Sequence, residues 1–258
     1  MELDEKRLKR IIERDHTFYD TALTFRRDTR LHPGTGDFIL SQFDRNMRVL
    51  DIGCGNGDTL IKGHDRFAYG LGIDNDAEHL RMAEKALIES GTTNIELRLL
   101  DFEQNSDSLD SESFDFVFSQ RGPLDVTTST IRASTRILKP NGLILNEQIG
   151  KQHLQEVNRV FERTEDPTEM TLEQIRAEME TCGIEIRAVA DFYSKRIYPD
   201  IYEWFRFQTN IWSWLGEPLP EPDDPRIQLF AEQNAAANGE IQVTHHVVWL
   251  GGVKRRSG

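Results

Sequence analysis

The fold of this chain is decided by the stretch Val49-Leu50-Asp51-Ile52-Gly53-Cys54-Gly55-Asn56-Gly57. An apolar strand ends there in an acid and then breaks into alternating glycines. A ligand can lie against bare backbone in such a loop, because glycine has no side chain and tolerates positive φ. The helix expected after the loop points its N-terminal amides toward the same ligand. A tight strand-to-helix turn without a ligand would also use glycines, so the flanking sequence has to decide.

A second apolar strand follows and also ends in an acid, at Asp74. In a nucleotide-binding βαβ unit, an acid at this strand end accepts hydrogen bonds from ribose hydroxyls. The dinucleotide fingerprint requires glycine at position 58, where this chain has Asp58, and Asp51 would repel a pyrophosphate. Both departures favour a ligand that has a positive centre and no phosphates.

With three later segments, this pattern resembles the class I S-adenosylmethionine-dependent methyltransferases. The glycine loop is similar to the first motif of that family, and Asp74 to its ribose-binding acid. The further matching segments, in order, are Leu99-Leu100-Asp101-Phe102, Phe114-Asp115-Phe116-Val117-Phe118-Ser119 and Ile137-Leu138-Lys139-Pro140-Asn141-Gly142-Leu143-Ile144-Leu145. The resemblance covers residues 48–150 well and the remainder in outline.

The resemblance implies an α/β fold, a Rossmann-like doubly wound sheet of about seven strands whose last strand is antiparallel. N-terminal helices precede the sheet, and a helical insertion precedes the last strand. We expect one domain over residues 1–258, which at this length can bury a sizeable core. Its parts are N-terminal helices (1–45), a cofactor-binding core (46–150) and a C-terminal half (151–258) with a helical lid at about 197–238.

S-adenosylmethionine is the cofactor that the resemblance implies. Asp74 would accept hydrogen bonds from the ribose, and Asp101 would accept one from the adenine amine. Phe102 would wall the adenine ring or donate its backbone amide. The full set of predicted cofactor-binding residues is Asp51, Gly53, Cys54, Gly55, Asp74, Asn75, Asp101, Phe102 and Ser119.

Few catalytic side chains are expected, because a sulfonium methyl is already activated and transfer is an in-line displacement. Orientation and water exclusion supply most of the acceleration, and a base is needed only if the acceptor carries a proton. The ends of the fourth and fifth strands offer Gln120, Arg121 and Glu147. Arg121 would clamp an acidic substrate or the methionine carboxylate, or make a structural hydrogen bond. Glu147 would be a general base or the partner of a basic neighbour.

The segment from Tyr198 to Leu215 is the richest aromatic stretch, with three of the four tryptophans. One interpretation is a lid over the acceptor, and the other is an amphipathic helix that packs its rings into a core. The lid interpretation predicts substrate contacts from Tyr198, Tyr202 and Trp212, with Tyr19 from the N-terminal helices.

Composition narrows the range of partners. A net charge of −13 without a basic stripe disfavours a nucleic-acid substrate and leaves a small-molecule acceptor. Two cysteines make neither a disulfide scaffold nor a metal site, so no metal is expected. No apolar run has the length of a membrane span, and the charged N-terminus lacks the apolar stretch of a signal peptide. We expect a cytoplasmic protein; the pattern leaves the oligomeric state open.

Three functions remain compatible with the sequence. The first is methyl transfer to a small molecule. The second is methylation of a guanine in ribosomal RNA. The Arg121-Gly122-Pro123 turn resembles a turn of the ribosomal guanine methyltransferases, although the N-terminal zinc-binding cysteines of those enzymes are absent here. The third is a non-catalytic protein that binds S-adenosylmethionine.

Overall fold

The computed structural model describes residues 3–14, 16, 26–27, 35–163 and 170–256. The helices are α1 Glu5–Ile12, α2 Thr35–Gln42, α3 Asp58–Lys62, α4 Ala77–Ser90, α5 Phe102–Asn105, α6 Thr128–Ile137, α7 Gln155–Val160, α8 Leu172–Thr181, α9 Ile201–Trp214 and α10 Pro225–Asn234. The strands are β1 Arg26–Arg27, β2 Arg48–Ile52, β3 Tyr69–Asp74, β4 Ile95–Leu99, β5 Phe114–Gln120, β6 Leu138–Ile149, β7 Ile184–Tyr198 and β8 Ile241–Lys254.

The strands form one mixed sheet in the order β1-β7-β8-β6-β5-β2-β3-β4. Strands β2 to β6 pair with one another in parallel, and β8 runs antiparallel to β6. This confirms the predicted Rossmann-like sheet with an antiparallel last strand. The eighth strand, β1, pairs with β7; it escaped prediction because two arginines carry no strand pattern.

Strand β2 marks the point where the strand order reverses, with β3 on one side and β5 on the other. Open α/β sheets bind ligands beyond the carboxyl ends of their strands at such a point. The glycine loop begins at the carboxyl end of β2, and the turn at Arg121 begins at the carboxyl end of β5. The topology therefore brings these two loops to the edge where a ligand is expected.

The Lys139-Pro140-Asn141-Gly142 part of the last matching segment lies inside β6. Phe114 is opposite Leu138, whereas Phe116 is opposite Leu143, so residues 139–142 form an irregularity in the pairing. Asn141 within it has a positive φ of 62°. Asparagine is among the few residues that adopt this conformation readily, because its short side chain can hydrogen-bond locally.

The chain divides into two compact units by its internal contacts. Unit 1 comprises Met1–His32, Lys151–Glu165 and Phe192–His246, and unit 2 comprises Pro33–Gly150, Asp166–Asp191 and Val247–Gly258. The expectation of one domain, with the parts 1–45, 46–150 and 151–258, stays a prediction.

Unit 2 is organised around buried apolar side chains from the sheet and from α6 and α8. Leu50, Ile52 and Val117 from the strands pack with Ile131 and Met179 from the helices. Helix α8 begins at a capping box in which Gln174 N donates to Thr171 Oγ1. Strands β2 and β3 are buried along nearly their whole length, as expected for parallel strands covered on both faces of the sheet.

Unit 1 has a separate apolar core formed mainly by helices. Leu8 of α1 packs with Val157 of α7, Trp204 of α9 and Phe230 of α10. The Trp204 and Phe230 rings stack with their centroids 3.9 Å apart. Among the described helices, none has the length and apolar character that crossing a bilayer requires.

Candidate functional site

The glycine loop has the backbone that its sequence predicts. Gly53, Gly55 and Gly57 adopt φ values of 75°, 54° and 74°, a region that other residues enter only with strain. At Gly53 a side chain would also collide with a neighbour, because a Cβ there would lie 2.9 Å from Gly122 Cα. The loop at the end of β2 therefore lies directly against the turn that follows β5.

Asp74 closes the loop from the end of β3. Its Oδ2 accepts a 2.8 Å hydrogen bond from Gly55 N, and its Oδ1 accepts a 2.9 Å bond from Asp76 N. The residue is buried. The two amides fix the carboxylate while each oxygen keeps a further lone pair for a ligand hydroxyl.

Asp51 is a buried acid at the end of β2. Within the described part of the chain, its Oδ1 has no hydrogen-bond partner, although the residue is only 3% exposed. Burial raises the pKa of Asp51 well above its ordinary value, and the nearby Asp74 raises it further. An orphaned buried oxygen at this position fits a ligand that brings a hydrogen-bond donor or a positive charge.

Cys54 fills space inside the loop. Burial, followed by the charges of Asp51 and Asp74, raises the pKa of its thiol far above the ordinary range. The thiol therefore stays protonated and is a poor nucleophile. A Cβ added at Gly72 of β3 would lie 2.9 Å from Cys54 Sγ, so a small residue is required opposite this thiol.

The predicted adenine contacts lie at the start of α5. Asp101 caps this helix, with its Oδ1 accepting a 3.2 Å hydrogen bond from Gln104 N. The Phe102 ring is buried in the core of unit 2, so its backbone amide is the group it can offer a ligand. Asn75 is exposed in the loop after β3.

The turn after β5 is tied to the glycine loop through Ser119 and Gln120. Ser119 Oγ donates to Ile52 O over 2.7 Å and accepts from Gly122 N over 3.1 Å. Gln120 Oε1 accepts a 2.6 Å hydrogen bond from Thr59 Oγ1 of α3. These contacts fix the position of the backbone on both sides of Arg121.

The structure brings together two of the predicted catalytic residues, Arg121 and Glu147. Arg121 Nε lies 3.5 Å from Glu147 Oε1, and Arg121 N donates to Glu147 O over 2.8 Å. Glu147 Oε2 accepts from the indole of Trp249 at 3.0 Å, and the Trp249 ring packs on Phe38. The carboxylate is 5% exposed and the Arg121 side chain 41% exposed. Glu147 is therefore held by two donors while much of the guanidinium reaches solvent.

The predicted substrate residues are placed within unit 1. Tyr198 and Trp212 are buried in its apolar core. Tyr202 OH accepts a 2.7 Å hydrogen bond from Asp4 N, and the Arg7 guanidinium lies 3.9 Å from the centre of the Tyr202 ring. Tyr19 falls outside the described residues. Packing accounts for the two buried rings, and their contact with a substrate stays a prediction.

The sequence analysis did not identify the residues whose side chains contact and position the predicted site residues. Thr59 supports Gln120, Trp249 supports Glu147, and His79 lies beside Asp74. His79 was detectable, because it follows the Asp76 helix cap by three residues and so returns to the carboxyl end of β3. Nothing in the pattern marks Trp249, which meets Glu147 only through the pairing of β6 with β8.

The sheet order and the glycine loop are those expected of a methyltransferase fold. Comparison with protein families supports the same class. The profile of a family described as "Methyltransferase domain" matches residues 43–207. The chain belongs to this family, and the predicted resemblance to the class I S-adenosylmethionine-dependent methyltransferases is confirmed.

Individual relatives are more distant. The chain is 28% identical over 155 residues to a ubiquinone biosynthesis O-methyltransferase of Leptothrix cholodnii, covering 57% of this chain and 64% of that protein. It is 27% identical over 168 residues to a protein of the same name from Aromatoleum aromaticum, covering 58% and 65%. The chain thus spans less than two thirds of the length of these relatives.

Among solved structures, the YcgJ protein of Bacillus subtilis superposes with a TM-score of 0.64. The superposition covers 88% of this chain and all of that one, at 18% identity. Identity at this level establishes a shared fold.

Proposed function

We propose that this protein transfers a methyl group from S-adenosylmethionine to a small-molecule acceptor. The observation that carries the proposal is the match to the methyltransferase-domain family across the glycine loop. The Gly55–Asp74 hydrogen bond adds support, because it holds an acid at the position where the family binds ribose.

The residues of the loop fit this cofactor. S-adenosylmethionine supplies a methyl group that its sulfonium already activates. Asp74 would accept hydrogen bonds from the ribose, and Asp101 one from the adenine amine. Asp51 has an oxygen without a partner among the described residues and would meet the ammonium of the methionine portion. The other predicted cofactor residues, Gly53, Cys54, Gly55, Asn75, Phe102 and Ser119, would line the same loops.

Arg121 and Glu147 have different roles in this proposal. Glu147 lies within ion-pair distance of Arg121 and accepts a hydrogen bond from the Trp249 indole, so its carboxylate is already engaged by these two side chains. We assign Glu147 to positioning Arg121. The half-exposed guanidinium would then orient an anionic or hydroxyl group of the ligand, with Gln120 beside it.

The acceptor we propose is a hydroxylated aromatic compound. This rests on the relatives, which carry the name ubiquinone biosynthesis O-methyltransferase. It also agrees with the charge of −13, which opposes binding of a polyanion. Tyr19, Tyr198, Tyr202 and Trp212 stay the proposed acceptor contacts. A cytoplasmic location is proposed with them, since both cysteines are free thiols.

The test is transfer of a labelled methyl group from S-adenosylmethionine to each member of a panel of phenols and catechols. We expect one or more catechols to be labelled, and bulk RNA not to be. Labelling of RNA alone would establish the ribosomal-RNA alternative. Tight binding of S-adenosylhomocysteine without labelling of any acceptor would favour the non-catalytic alternative.

A further inference from the structure

His79 lies between two carboxylates at the predicted ribose site. Its Nδ1 is 3.6 Å from Asp74 Oδ1, and its Nε2 is 3.6 Å from Asp76 Oδ2. The side chain is 12% exposed. Asp76 also caps α4, because its Oδ1 accepts hydrogen bonds from the amides of Glu78 and His79. The cap fixes the first turn of α4 and, with it, the position of the imidazole.

The two protonation states of this ring differ in what they offer the carboxylates. An imidazolium has an N–H on each nitrogen and can direct one toward each acid. A neutral imidazole has one N–H, so its other nitrogen directs a lone pair toward an acid. The charge on the ring therefore changes how negative Asp74 is at the oxygen that a ribose hydroxyl would use.

We propose that His79 makes cofactor binding depend on pH. In this proposal the cofactor binds more tightly to the protein when His79 is neutral than when it is protonated. This inference rests on the proposed contact between Asp74 and the ribose. A cation 3.6 Å from Asp74 Oδ1 weakens that oxygen as an acceptor and repels the hydroxyl hydrogens. It also repels the sulfonium of S-adenosylmethionine, so protonation opposes binding of that ligand more than binding of S-adenosylhomocysteine.

Several other described charged groups near α4 form ion pairs, and Glu78 also feels the charge of His79. On α4 itself, Glu78 binds Arg81. The helix packs against α3, β3 and β4. On α3, Lys62 pairs with Asp58, and on β4, Arg98 pairs with Glu96. Within the described residues, Asp74 and Asp76 both lie within ion-pair distance of His79.

Asp51 is a second group whose proton matters at this site. Burial raises its pKa, so it also releases a proton if a cationic ligand group approaches it. Its contribution has the same sign as that of His79 and persists when His79 is replaced. A comparison of variants therefore separates the two.

The reciprocity of linked binding gives a direct test. If protonation of His79 opposes binding, then binding must expel the proton. Calorimetric titration with S-adenosylhomocysteine at mildly acidic pH, in two buffers with different ionisation enthalpies, counts the protons released on binding. The variants are His79→Gln and, as a second replacement, His79→Asn. The matched control is His64→Gln, which changes an exposed histidine of unit 2.

We expect the wild type and His64→Gln to release more protons than either His79 variant. The affinity of the wild type should rise between pH 5.5 and pH 8 by about threefold more than that of His79→Gln. S-adenosylmethionine should show a steeper rise than S-adenosylhomocysteine. A merely structural His79 would lower affinity equally at all pH values.

Equal proton release in the wild type and both His79 variants would overturn the inference, as would a wild-type affinity that falls with rising pH. Failure of the wild type to bind S-adenosylhomocysteine at all is a different result. It would remove the proposed cofactor site itself, and with it the function on which this inference rests.

Discussion

The glycine loop of unit 2 and helix α9 of unit 1 are the two most unusual stretches of the sequence, and they differ in how far sequence determines their role. In the loop, each glycine has a positive φ, and Asp74 accepts a hydrogen bond from the Gly55 amide. In α9, the tryptophans Trp204 and Trp212 are simply buried among other rings. The conformational demands on the glycines thus predict the backbone of the loop, whereas aromatic composition does not distinguish a lid from a core.

Trp204→Ala should have the largest effect on stability. The ring is fully buried and stacks on Phe230, so its loss leaves a cavity in the core of unit 1. We expect the free energy of unfolding to fall by about 3–5 kcal/mol, measured by denaturant titration. Trp214→Ala is the matched control, since that ring is 54% exposed and should change stability by about 0.5 kcal/mol. Equal losses for the two tryptophans would contradict the core assignment.

Gly53→Ala should reduce stability somewhat less than Trp204→Ala does. It tests the close approach of the glycine loop to the turn after β5. The added Cβ combines a positive φ with a collision at Gly122 Cα, and we expect a loss of about 2–4 kcal/mol in unfolding free energy. Gly91→Ala separates the two causes. Gly91 also has a positive φ, but nothing lies within 4 Å of its Cβ position, so about 1 kcal/mol is expected. If the two variants lose the same stability, the close approach of the loops is refuted.

Asp51→Asn tests the buried acid through the pH dependence of stability. The folded-state pKa of Asp51 is raised above the unfolded value of about 3.9. The free energy of unfolding therefore includes the full contribution of the protonated acid at low pH. As pH rises toward the folded-state pKa, that free energy falls by at most about 1.4 kcal/mol per pH unit. The variant should become more stable than the wild type as pH increases from 4 to 8. Parallel unfolding free energies across that range would show that Asp51 is ionised without penalty.

Tyr202→Phe should have the smallest effect. It removes the hydroxyl that accepts from Asp4 N and keeps the ring under the Arg7 guanidinium. A net hydrogen bond of this kind contributes about 0.5–1.5 kcal/mol. Thermal unfolding gives the change in stability, and the KM for a labelled acceptor tests the proposed substrate contact. An unchanged KM would leave Tyr202 with a packing role alone.

The sheet and the conformation of the glycine loop were predictable because their signals are local. Glycines at alternate positions, acids at strand ends and the capping box at Thr171 each depend on neighbours a few residues away. The supports of the site are long-range contacts instead. Trp249 and Glu147 are 102 positions apart in the sequence. They meet only because β8 pairs with β6, and no short sequence pattern predicts that pairing.

The arrangement of α9 could not be predicted for a different reason. Its buried positions include Gln208, Thr209 and Asn210 as well as aromatic rings. Burial on several faces of one helix erases the simple apolar stripe from which a packing direction is read. The choice between lid and core therefore depends on which neighbouring helices pack against α9. The sequence alone does not show which apolar faces of those helices meet it.

The central claim is that the loop of Asp51 to Gly57 binds an adenosyl cofactor with Asp74 on the ribose. Calorimetry with S-adenosylhomocysteine on the wild type, Asp74→Ala and the exposed-acid control Asp110→Ala tests it most directly. Loss of a charged hydrogen-bond partner should weaken binding by about 1.5–3 kcal/mol in Asp74→Ala, while Asp110→Ala should bind like the wild type. Wild-type affinity in a folded Asp74→Ala variant would contradict the assignment.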